Sequence, residues 1–550
     1  MTRRWYPGSR GLLLAVSGLP ALAGLAAALW VGADIDALRR VLATPGIELS
    51  MASALWSGAI ATAIALFLAH IAMALAATGG WRRSLNNLAL PLLAMPHLAV
   101  GIGLVLVLAP SGLLLRLVSP WASGLTLPPD WQTVQDPFGL SLIAGLVIKE
   151  TCFLLLVLHA ALSQVPAERL LQQARSLGYG RIKGWFVAVA PLLQRQIRLP
   201  LAAVLVFGMT NVELAIPLGP GLPPTFAVLL WQWFTDPDPQ IHAQAYTGTL
   251  LLFAMTLLVL GGAAACGAAV RRVSQHWATG GARGVRERGL RYGLSGLLAA
   301  LWALGMLAVV AIILRSASGT WRFPAVLPSG DVLSAWRVLA PAALDIAPQT
   351  VMFAIATAVA GLLLVLPAAE SVHRNTDARR LIGALLFLPL LLPQMTFLFG
   401  VQVLLTRLRI DGTFVAVLWS HLIFALPYLW SLVAPARAAI DLRFADVART
   451  LGASRQRTWW RITAPLLART GLVAFALAFS VSVALYLPTL FAGAGRVATA
   501  ATEAAAAAAS GSLRLASMHA ILLSVLPFFA FAIAYTGGAL LFRQRRGVPR

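Results

Sequence analysis

Apolar segments long enough to cross a membrane recur along the whole chain, and they constrain its fold more than any other feature. A spanning helix needs about 20 mostly apolar residues. Such segments are predicted near residues 11–32, 50–78, 86–115, 138–163, 197–217 and 245–270, and then near 292–314, 347–369, 381–406, 414–435, 470–492 and 515–541. These runs do not alternate polar and apolar residues as barrel strands do. The sequence therefore predicts an all-α polytopic membrane protein with about twelve transmembrane helices in two sets of six.

The composition agrees with this class. Hydrophobic residues make up 59% of the chain and charged residues only 11%, whereas a soluble domain carries about 25% charged residues. The net charge of +23 would suggest nucleic acid as a partner of a soluble protein. In a membrane protein, Lys and Arg instead collect in the cytoplasmic loops. We therefore expect no nucleic acid partner.

The basic residues also predict the topology. If both termini are cytoplasmic, twelve helices place most of the Lys and Arg on the inside, as the positive-inside rule requires. Eleven helices would place one of two similar basic segments outside. The N-terminal apolar run resembles a signal peptide but is longer than a usual signal sequence core, so we expect a retained first helix. Arg3 and Arg4 then count as cytoplasmic charge rather than as a twin-arginine signal. The predicted location is the inner (cytoplasmic) membrane.

One basic segment occurs twice. "QQARSLGYGRIKGWFVAVAPLL" (172–193) aligns without a gap with "DVARTLGASRQRTWWRITAPLL" (446–467), since 448 − 174 = 274. The residues that are identical in both copies are, numbered by the first copy, Ala174, Arg175, Leu177, Gly178, Arg181, Trp185, Ala190, Pro191, Leu192 and Leu193. "LPLLAMPH" (90–97) likewise resembles "LPLLLPQ" (388–394). We therefore predict an internal duplication, with one half at 1–270, a basic cytoplasmic linker at 271–291 and a second half at 292–550.

Each copy of this segment predicts two short helices. The first helix is expected to stop at Gly178 or Gly452, because glycine readily takes the left-handed conformation that ends helices. Pro191 and Pro465 are expected to mark a break before the next spanning helix. An amphipathic helix lying on anionic membrane lipid would explain the basic face. It would not explain why the same glycine and proline recur at the same spacing in both halves.

The repeated segment resembles the EAA loop of ABC importer permeases, whose pattern is Glu-Ala-Ala, three residues, Gly, nine residues, Ile-x-Leu-Pro. Gln172-Gln173-Ala174 and Asp446-Val447-Ala448 stand where Glu-Ala-Ala is expected, and both glycines and both prolines match. Ile462 matches the isoleucine, but Ala188 does not. Alanine replaces the leucine in both copies, and the first copy has lost the acidic residue.

This resemblance implies a function for both copies. In that family the loop is a coupling helix that docks on an ATPase subunit, so coupling loops are expected at about 168–195 and 441–469. Two cytoplasmic ATPase subunits and an extracytoplasmic substrate-binding protein are the implied partners. The residues expected to couple are Gln172, Ala174, Gly178, Pro191, Asp446, Ala448, Gly452 and Pro465.

The resemblance extends over essentially the whole chain. It is to the fused permeases of the thiamine and ferric-iron type, in which two halves form one polypeptide. Two stretches, "PPTFAVLLWQWFTDPD" (223–238) and "YLPTLFAGAGRVATAATEA" (486–504), are similar to the family of YnjC, the permease of YnjBCD systems. A thiamine-like molecule or ferric iron is the substrate that this resemblance implies.

Four polar residues in apolar segments are candidates for the translocation path. Charges within membrane helices are costly and often functional. Lys149 and Glu150 lie in the predicted fourth helix, and Asn211 and Glu213 in the fifth. Because adjacent residues on a helix do not face each other, Lys149 and Glu150 need separate partners. Such residues are expected either to be structural, in an ion pair or reaching water near a helix end, or to form a polar lining of the substrate path. Two acids would suit a cationic substrate.

No constellation in the sequence supports an enzyme. There is no phosphate-binding GxxxxGK[ST] loop and no nucleophile elbow. The histidines show no metal-ligand spacing, and Cys152 and Cys266 lie in apolar runs, where small buried residues are typical. His421 is expected to donate within the helix packing. We expect no cofactor or metal, and ATP must be hydrolysed by another chain.

An alternative class is a twelve-helix secondary transporter of the major-facilitator kind, which also has six plus six helices. Its usual basic motif lies between helices two and three, where "TGGWRRSLNN" imitates it only weakly. The repeated segment lies instead between helices four and five of each half. This position favours the ABC permease.

Overall fold

The structure is a computed structural model that describes residues 8–76, 92, 94–162, 165–279, 287–317, 319–329 and 332–542. Several features of the sequence lie outside the described residues: Arg3, Arg4, Arg82, Arg83, Pro91, part of the 271–291 linker and the tail 543–550. The described ranges contain no β-strand beyond one isolated bridge between Thr320 and Ser329. The predicted all-α class is confirmed.

Helices fill most of the described chain. In the first half they are α1 (Ser9–Gly32), α2 (Ile35–Leu42), α3 (Ile47–Ala76), α4 (His97–Leu108), α5 (Leu113–Val118), α6 (Leu140–Leu162), α7 (Ala167–Ser176), α8 (Arg181–Gly184), α9 (Ala190–Gln196), α10 (Arg198–Thr210), α11 (Ala215–Leu218), α12 (Phe226–Thr235) and α13 (Pro239–Thr279). They continue as α14 (Glu287–Ala317), α15 (Val332–Asp345), α16 (Ala347–Val372), α17 (Thr376–Leu391), α18 (Gln394–Arg407), α19 (Phe414–Ala439), α20 (Leu442–Thr450), α21 (Arg455–Thr458), α22 (Ala464–Ala484), α23 (Leu487–Ala492), α24 (Ala500–Ala509) and α25 (Leu513–Phe542).

The number of membrane-spanning helices agrees with the prediction. In the described ranges, 10 helices are long and apolar enough to cross a membrane, and two bent pairs raise the number to 12 if each pair is one span. One pair bends by 75° between Gln196 and Arg198, and the other by 95° between Leu391 and Gln394. Pro393 lies in the second bend. Proline has no backbone N–H and its ring clashes with the preceding turn, so the helix cannot continue through it.

Two predicted spans end earlier than expected. The span predicted at 197–217 stops at Thr210, and the span predicted at 470–492 stops at Ala484. Each stop is followed by a short helix, α11 or α23, that contains a proline, Pro217 or Pro488. Hydropathy alone missed these breaks because the residues on both sides of each break are apolar.

The backbone repeats with the spacing of the sequence duplication. Helix α6 begins at Leu140 and α19 at Phe414, so 414 − 140 = 274. Helix α12 begins at Phe226 and α24 at Ala500, so 500 − 226 = 274. This constant offset agrees with an internal duplication, while the domain limits given above stay a prediction.

The chain forms two compact units, and one consists of Met1–Trp30, Pro341–Glu503 and Ile521–Arg550. In this unit α16, α19 and α22 pack together, and α1 packs against α18. A Cβ on Gly24 would lie 2.4 Å from the carbonyl oxygen of Phe397, so glycine permits that close approach. The indole of Trp419 also donates to the carbonyl of Val16 at 2.8 Å.

The other compact unit consists of Val31–Ala340 and Ala504–Ala520. Its centre is formed by α3 packed against α6 and α10, and α14 packs along α4. A Cβ on Gly103 would lie 2.8 Å from that of Ala308 on α14. The first helix of each sequence half is thus grouped with residues of the other half, a membership that the linear halves did not predict.

Candidate functional site

The first repeated segment is a helix, a left-handed glycine and a second helix. Helix α7 ends at Ser176, and Gly178 has a φ of +84°. The Tyr179 N–H donates to the carbonyl of Ala174 at 3.0 Å, and the Gly178 N–H donates to that of Arg175 at 2.9 Å. These two bonds form a Schellman motif, which satisfies carbonyls at the end of α7.

The second repeated segment has the same geometry. Helix α20 ends at Thr450, and Gly452 has a φ of +82°. The Ala453 N–H donates to the carbonyl of Ala448 at 2.9 Å, and the Gly452 N–H donates to that of Arg449 at 3.0 Å. The alanine-to-glycine spacing of the motif therefore has a physical reason, since the alanine carbonyl and the glycine N–H take part in one capping motif.

The predicted break at the two prolines is wrong. Pro191 and Pro465 each lie in the first turn of an α-helix that directly follows one turn of π-helix, Trp185–Val189 or Trp459–Thr463. Proline is tolerated in a first turn, and a π turn accommodates the changed hydrogen bonding there. In the second copy, residues 455–484 consequently form one continuous candidate span.

The two copies differ in burial. In the first copy Ala174 is buried and the indole of Trp185 is completely enclosed, with 0% of its surface exposed. That indole donates to Nδ1 of His70 on α3 at 3.3 Å. In the second copy Ala448 and Trp459 are only half-buried. Sequence reasoning missed His70, because nothing in the repeat indicates its partner on α3.

The second copy is anchored by an ion pair at the end of the helix that precedes it. Arg437 on α19 is buried, and its guanidinium makes two hydrogen bonds to the carboxylate of Glu370 on α16, one of them at 3.0 Å. Asp446 lies at the surface, 3.9 Å from Arg374 and 3.7 Å from Arg449. The Glu370–Arg437 pair was not predicted, because its partners are far apart along the chain.

The outer faces of the two segments are partly apolar. Phe444, Val447 and Leu451 are exposed by 57%, 58% and 81%, and their spacing places them on one side of α20 and its end. The equivalent positions of the first copy hold Leu170, Gln173 and Leu177, and Leu177 is 54% exposed. We name these two sets the docking faces. The predicted residues Gln172 and Pro191 are also exposed, while Pro465 is half-buried.

The candidate path residues on α6 are buried, and each has its own partners. The Lys149 ammonium donates to the carbonyls of Leu92 at 2.9 Å and Met95 at 2.5 Å. An oxygen of Glu150 lies 3.4 Å from Nε2 of His97, which begins α4. The predicted separate partners are therefore present, and His97 is a member of this cluster that the sequence did not indicate.

Asn211 and Glu213 lie in the break after α10 rather than within a helix, which corrects their predicted position. The Asn211 side chain accepts from the Leu214 N–H at 2.7 Å, a local bond that favours a turn over a continuing helix. The carboxylates of Glu213 and Glu150 both interact electrostatically with the Lys149 ammonium. Among the described residues, no group of three or more His, Cys, Asp or Glu is arranged to hold a metal ion.

His421 has a structural environment. Its two ring nitrogens lie 2.7 Å from the Ser482 hydroxyl and 2.8 Å from the Thr489 hydroxyl. These bonds tie α19 to α22 and α23, in agreement with the expected role in helix packing. Of the two cysteines, Cys152 is buried but Cys266 is exposed, so the expectation that both are buried is wrong for the second. Cys266 lies on α13, most of whose apolar surface is uncovered.

Taken together, the helices define a multi-pass α-helical membrane protein that carries two copies of one helix–glycine–helix segment. No family model matches the chain. The chain is 31% identical over 503 residues to the inner membrane ABC transporter permease protein YnjC of Escherichia coli (strain K12), and the match covers 90% of this chain and 88% of that protein. The chain therefore belongs to the family of YnjC-type inner membrane ABC transporter permeases.

This membership makes the chain a multi-pass inner membrane protein and a permease subunit of an ABC transporter. It also implies ATPase and binding-protein partners in general. The comparison gives no support to the secondary-transporter alternative.

Proposed function

We propose that this chain forms the translocation path of a binding-protein-dependent importer and that its two repeated segments dock two separate ATPase subunits. The observation that carries the proposal is the recurrence of one backbone geometry, with a left-handed glycine, a π turn and a first-turn proline at identical spacing. The apolar docking faces support it, because a partner protein would cover side chains such as Leu451. ATP would be hydrolysed by the partners.

Each docking face has a stiff connection to membrane helices. In the first copy, the enclosed indole of Trp185 and its bond to His70 connect the segment to α3. In the second copy, α21, the π turn and α22 form one continuous helix. Movement of a docked ATPase subunit would therefore shift α3 or α22, since packed helices move as rigid bodies.

We further propose that Lys149, Glu150, Asn211 and Glu213 contribute to the substrate path. Glu150 and Glu213 both lie near a break in a helix, where backbone groups become available to a ligand. The acidic pair favours a cationic substrate, a thiamine-like molecule or ferric iron. Lys149 binds the carbonyls that precede α4, so its role is to hold that break in position.

The proposed orientation places both termini and both docking faces in the cytoplasm, because Lys and Arg concentrate there. The binding protein would then deliver substrate to the opposite side, where the 119–139 loop lies. Lipid surrounds the exposed apolar surface of α13, most of which the protein itself leaves uncovered.

The docking proposal is tested by Leu451→Arg. The side chain is 81% exposed, so the fold should tolerate arginine. Burying the charged arginine side chain in an apolar contact costs free energy, and this cost should release the docked ATPase subunit. We expect the amount of ATPase that co-purifies with the chain to fall from two subunits to one, measured by native mass spectrometry.

Leu222→Arg is the matched control for this variant. Leu222 is 94% exposed but lies in the break between α11 and α12, outside both repeated segments. This variant should retain both ATPase subunits. Equal retention by Leu451→Arg would remove the second docking face from the proposal.

The path proposal is tested by Glu150→Gln combined with Glu213→Gln. Amides keep hydrogen-bonding capacity but lose the charge, so uptake of a cationic substrate should fall about tenfold while assembly with the ATPase changes less than about twofold. Glu48→Gln is the control, since Glu48 is exposed at the start of α3. Uptake by the double variant equal to that of the control would return both acids to a structural role.

A further inference from the structure

A basic cleft lies between the first repeated segment and the first turns of α14. It has a volume of about 320 Å³, and its lining includes Arg175 and Arg181 from the segment and Arg288 and Arg291 from α14. The carboxylate of Glu287 is the acidic group in that lining. We name this feature the arginine cleft.

The Glu287 carboxylate is already engaged. Its two oxygens accept from the backbone N–H groups of Ile182 at 3.3 Å and Lys183 at 3.2 Å, at the start of α8. In the second repeated segment, the equivalent N–H of Arg457 donates to the hydroxyl of Ser454 at 3.3 Å. Glu287 therefore supplies, from another helix, the cap that a serine supplies in the second copy.

Gly180 leaves the space that the Glu287 carboxylate needs to cap α8. It stands where the second copy has Ser454, and a Cβ there would lie 2.2 Å from an oxygen of Glu287. A residue larger than glycine would push the carboxylate off the start of α8. The close approach commits Glu287 to the backbone and leaves it less available to the four guanidinium groups.

The charge of the arginine cleft is consequently unbalanced. In the described part of the chain, Arg175, Arg288 and Arg291 take part in no ion pair, and the Nε of Arg291 is enclosed without a hydrogen-bond partner. Glu287 is also the only acidic residue between residues 271 and 291. An enclosed guanidinium N–H favours an anionic acceptor, because leaving it unsatisfied is costly.

The position of the cleft indicates which anions can reach it. Helix α14 is long and apolar enough to be a candidate membrane span. Its first turns hold the two arginines, followed by Tyr292, which is 80% exposed. Arginine and tyrosine at the end of a span are typical of the level of the lipid headgroups.

We propose that the arginine cleft binds a phosphate-bearing anion, supplied by the headgroup of an anionic phospholipid. Arginine pairs with phosphate through two parallel N–H donors, and several guanidinium groups around one cleft match the oxygens of a phosphate ester. A bound phosphate joins α14 to the first repeated segment. It thereby fixes the start of α8, which Glu287 already caps.

The test uses the full-length chain in a neutral detergent, with phosphatidylglycerol and inorganic pyrophosphate as separate probes. We expect Arg288→Gln combined with Arg291→Gln to weaken phosphatidylglycerol binding at least about tenfold in native mass spectrometry, because two charge-assisted contacts are lost. Arg271→Gln combined with Arg272→Gln is the control, since these exposed residues on α13 carry the same charge but do not line the cleft. Binding by the control should stay within about twofold of the unmodified chain.

A third variant separates a lost site from a damaged fold. Glu287→Gln keeps an oxygen that can cap α8 but removes the one negative charge of the lining, so it should tighten phosphatidylglycerol binding several-fold. If pyrophosphate binding depends on Arg288 and Arg291 but lipid binding does not, the cleft is still a phosphate site, and its ligand is a free phosphate. Equal losses in the cleft variant and the control, or no loss in either, would overturn the proposal.

Discussion

Replacing Gly452 by valine is expected to remove most ATP-driven transport while membrane insertion survives. The residue has a φ of +82°, and nothing lies within 4 Å of the position of a Cβ, so the cost is conformational rather than steric. A left-handed conformation costs an L-residue about 1–2 kcal/mol. Relief of that strain would tilt α21 against α20 and misdirect the docking face.

Gly178→Val should have the same effect to a smaller degree. Gly178 has a φ of +84°, but its segment is held by the enclosed Trp185 and by the Glu287 cap, which resist a tilt. In the second segment the equivalent Trp459 is only half-buried, and that segment also keeps the acidic Asp446 and the matching Ile462. The measurement is substrate-stimulated ATP hydrolysis in liposomes, with expression and retention of the ATPase scored in parallel.

Gly511→Val is the matched control for both glycine variants. Gly511 has a φ of +76° and also has nothing within 4 Å of a Cβ position, but it lies between α24 and α25. It should carry a similar local strain without a loss of coupling. Normal coupled transport by both segment variants would exclude these glycines from the mechanism, and loss of insertion would assign them to folding.

Glu370→Ala is expected to destabilise the chain by about 3–5 kcal/mol, because it leaves the buried guanidinium of Arg437 without a counter-charge. The Arg437 side chain is 4% exposed. Replacing both partners by leucine should recover most of this loss, since no buried charge then remains. The measurement is thermal unfolding of the purified chain, and ATPase binding to the folded chain is measured separately.

Arg374→Ala is the control for the buried pair. Arg374 and Asp446 are both 57% exposed and 3.9 Å apart, and such surface pairs contribute about 0–1 kcal/mol. A loss of stability in Arg374→Ala as large as that in Glu370→Ala would contradict the account of the buried pair.

The two copies show how a duplicated segment can keep its backbone and change its support. The capping motif, the π turn and the first-turn proline recur at a spacing of 274 residues, since 452 − 178 = 274. The supports differ: the first copy uses His70 and Glu287, and the second uses Ser454 and the Glu370–Arg437 pair. Backbone geometry and the Ser454 cap follow from local sequence, whereas the other supports depend on residues distant along the chain.

This difference explains how much the sequence could predict. The apolar runs predicted the class and number of helices, and the glycines predicted where α7 and α20 end, because both signals are local. The breaks after Thr210 and Ala484 were missed, since mainly apolar residues precede and follow each of them. His97 and His70 were missed because their partners, Glu150 and Trp185, are far away in sequence.

The most direct test of the proposed function is the mass of the purified complex. If both repeated segments dock an ATPase subunit, native mass spectrometry should find one copy of this 58.2 kDa chain with two ATPase subunits. A complex with two copies of this chain, or with a single ATPase subunit on the unmodified chain, would contradict the account.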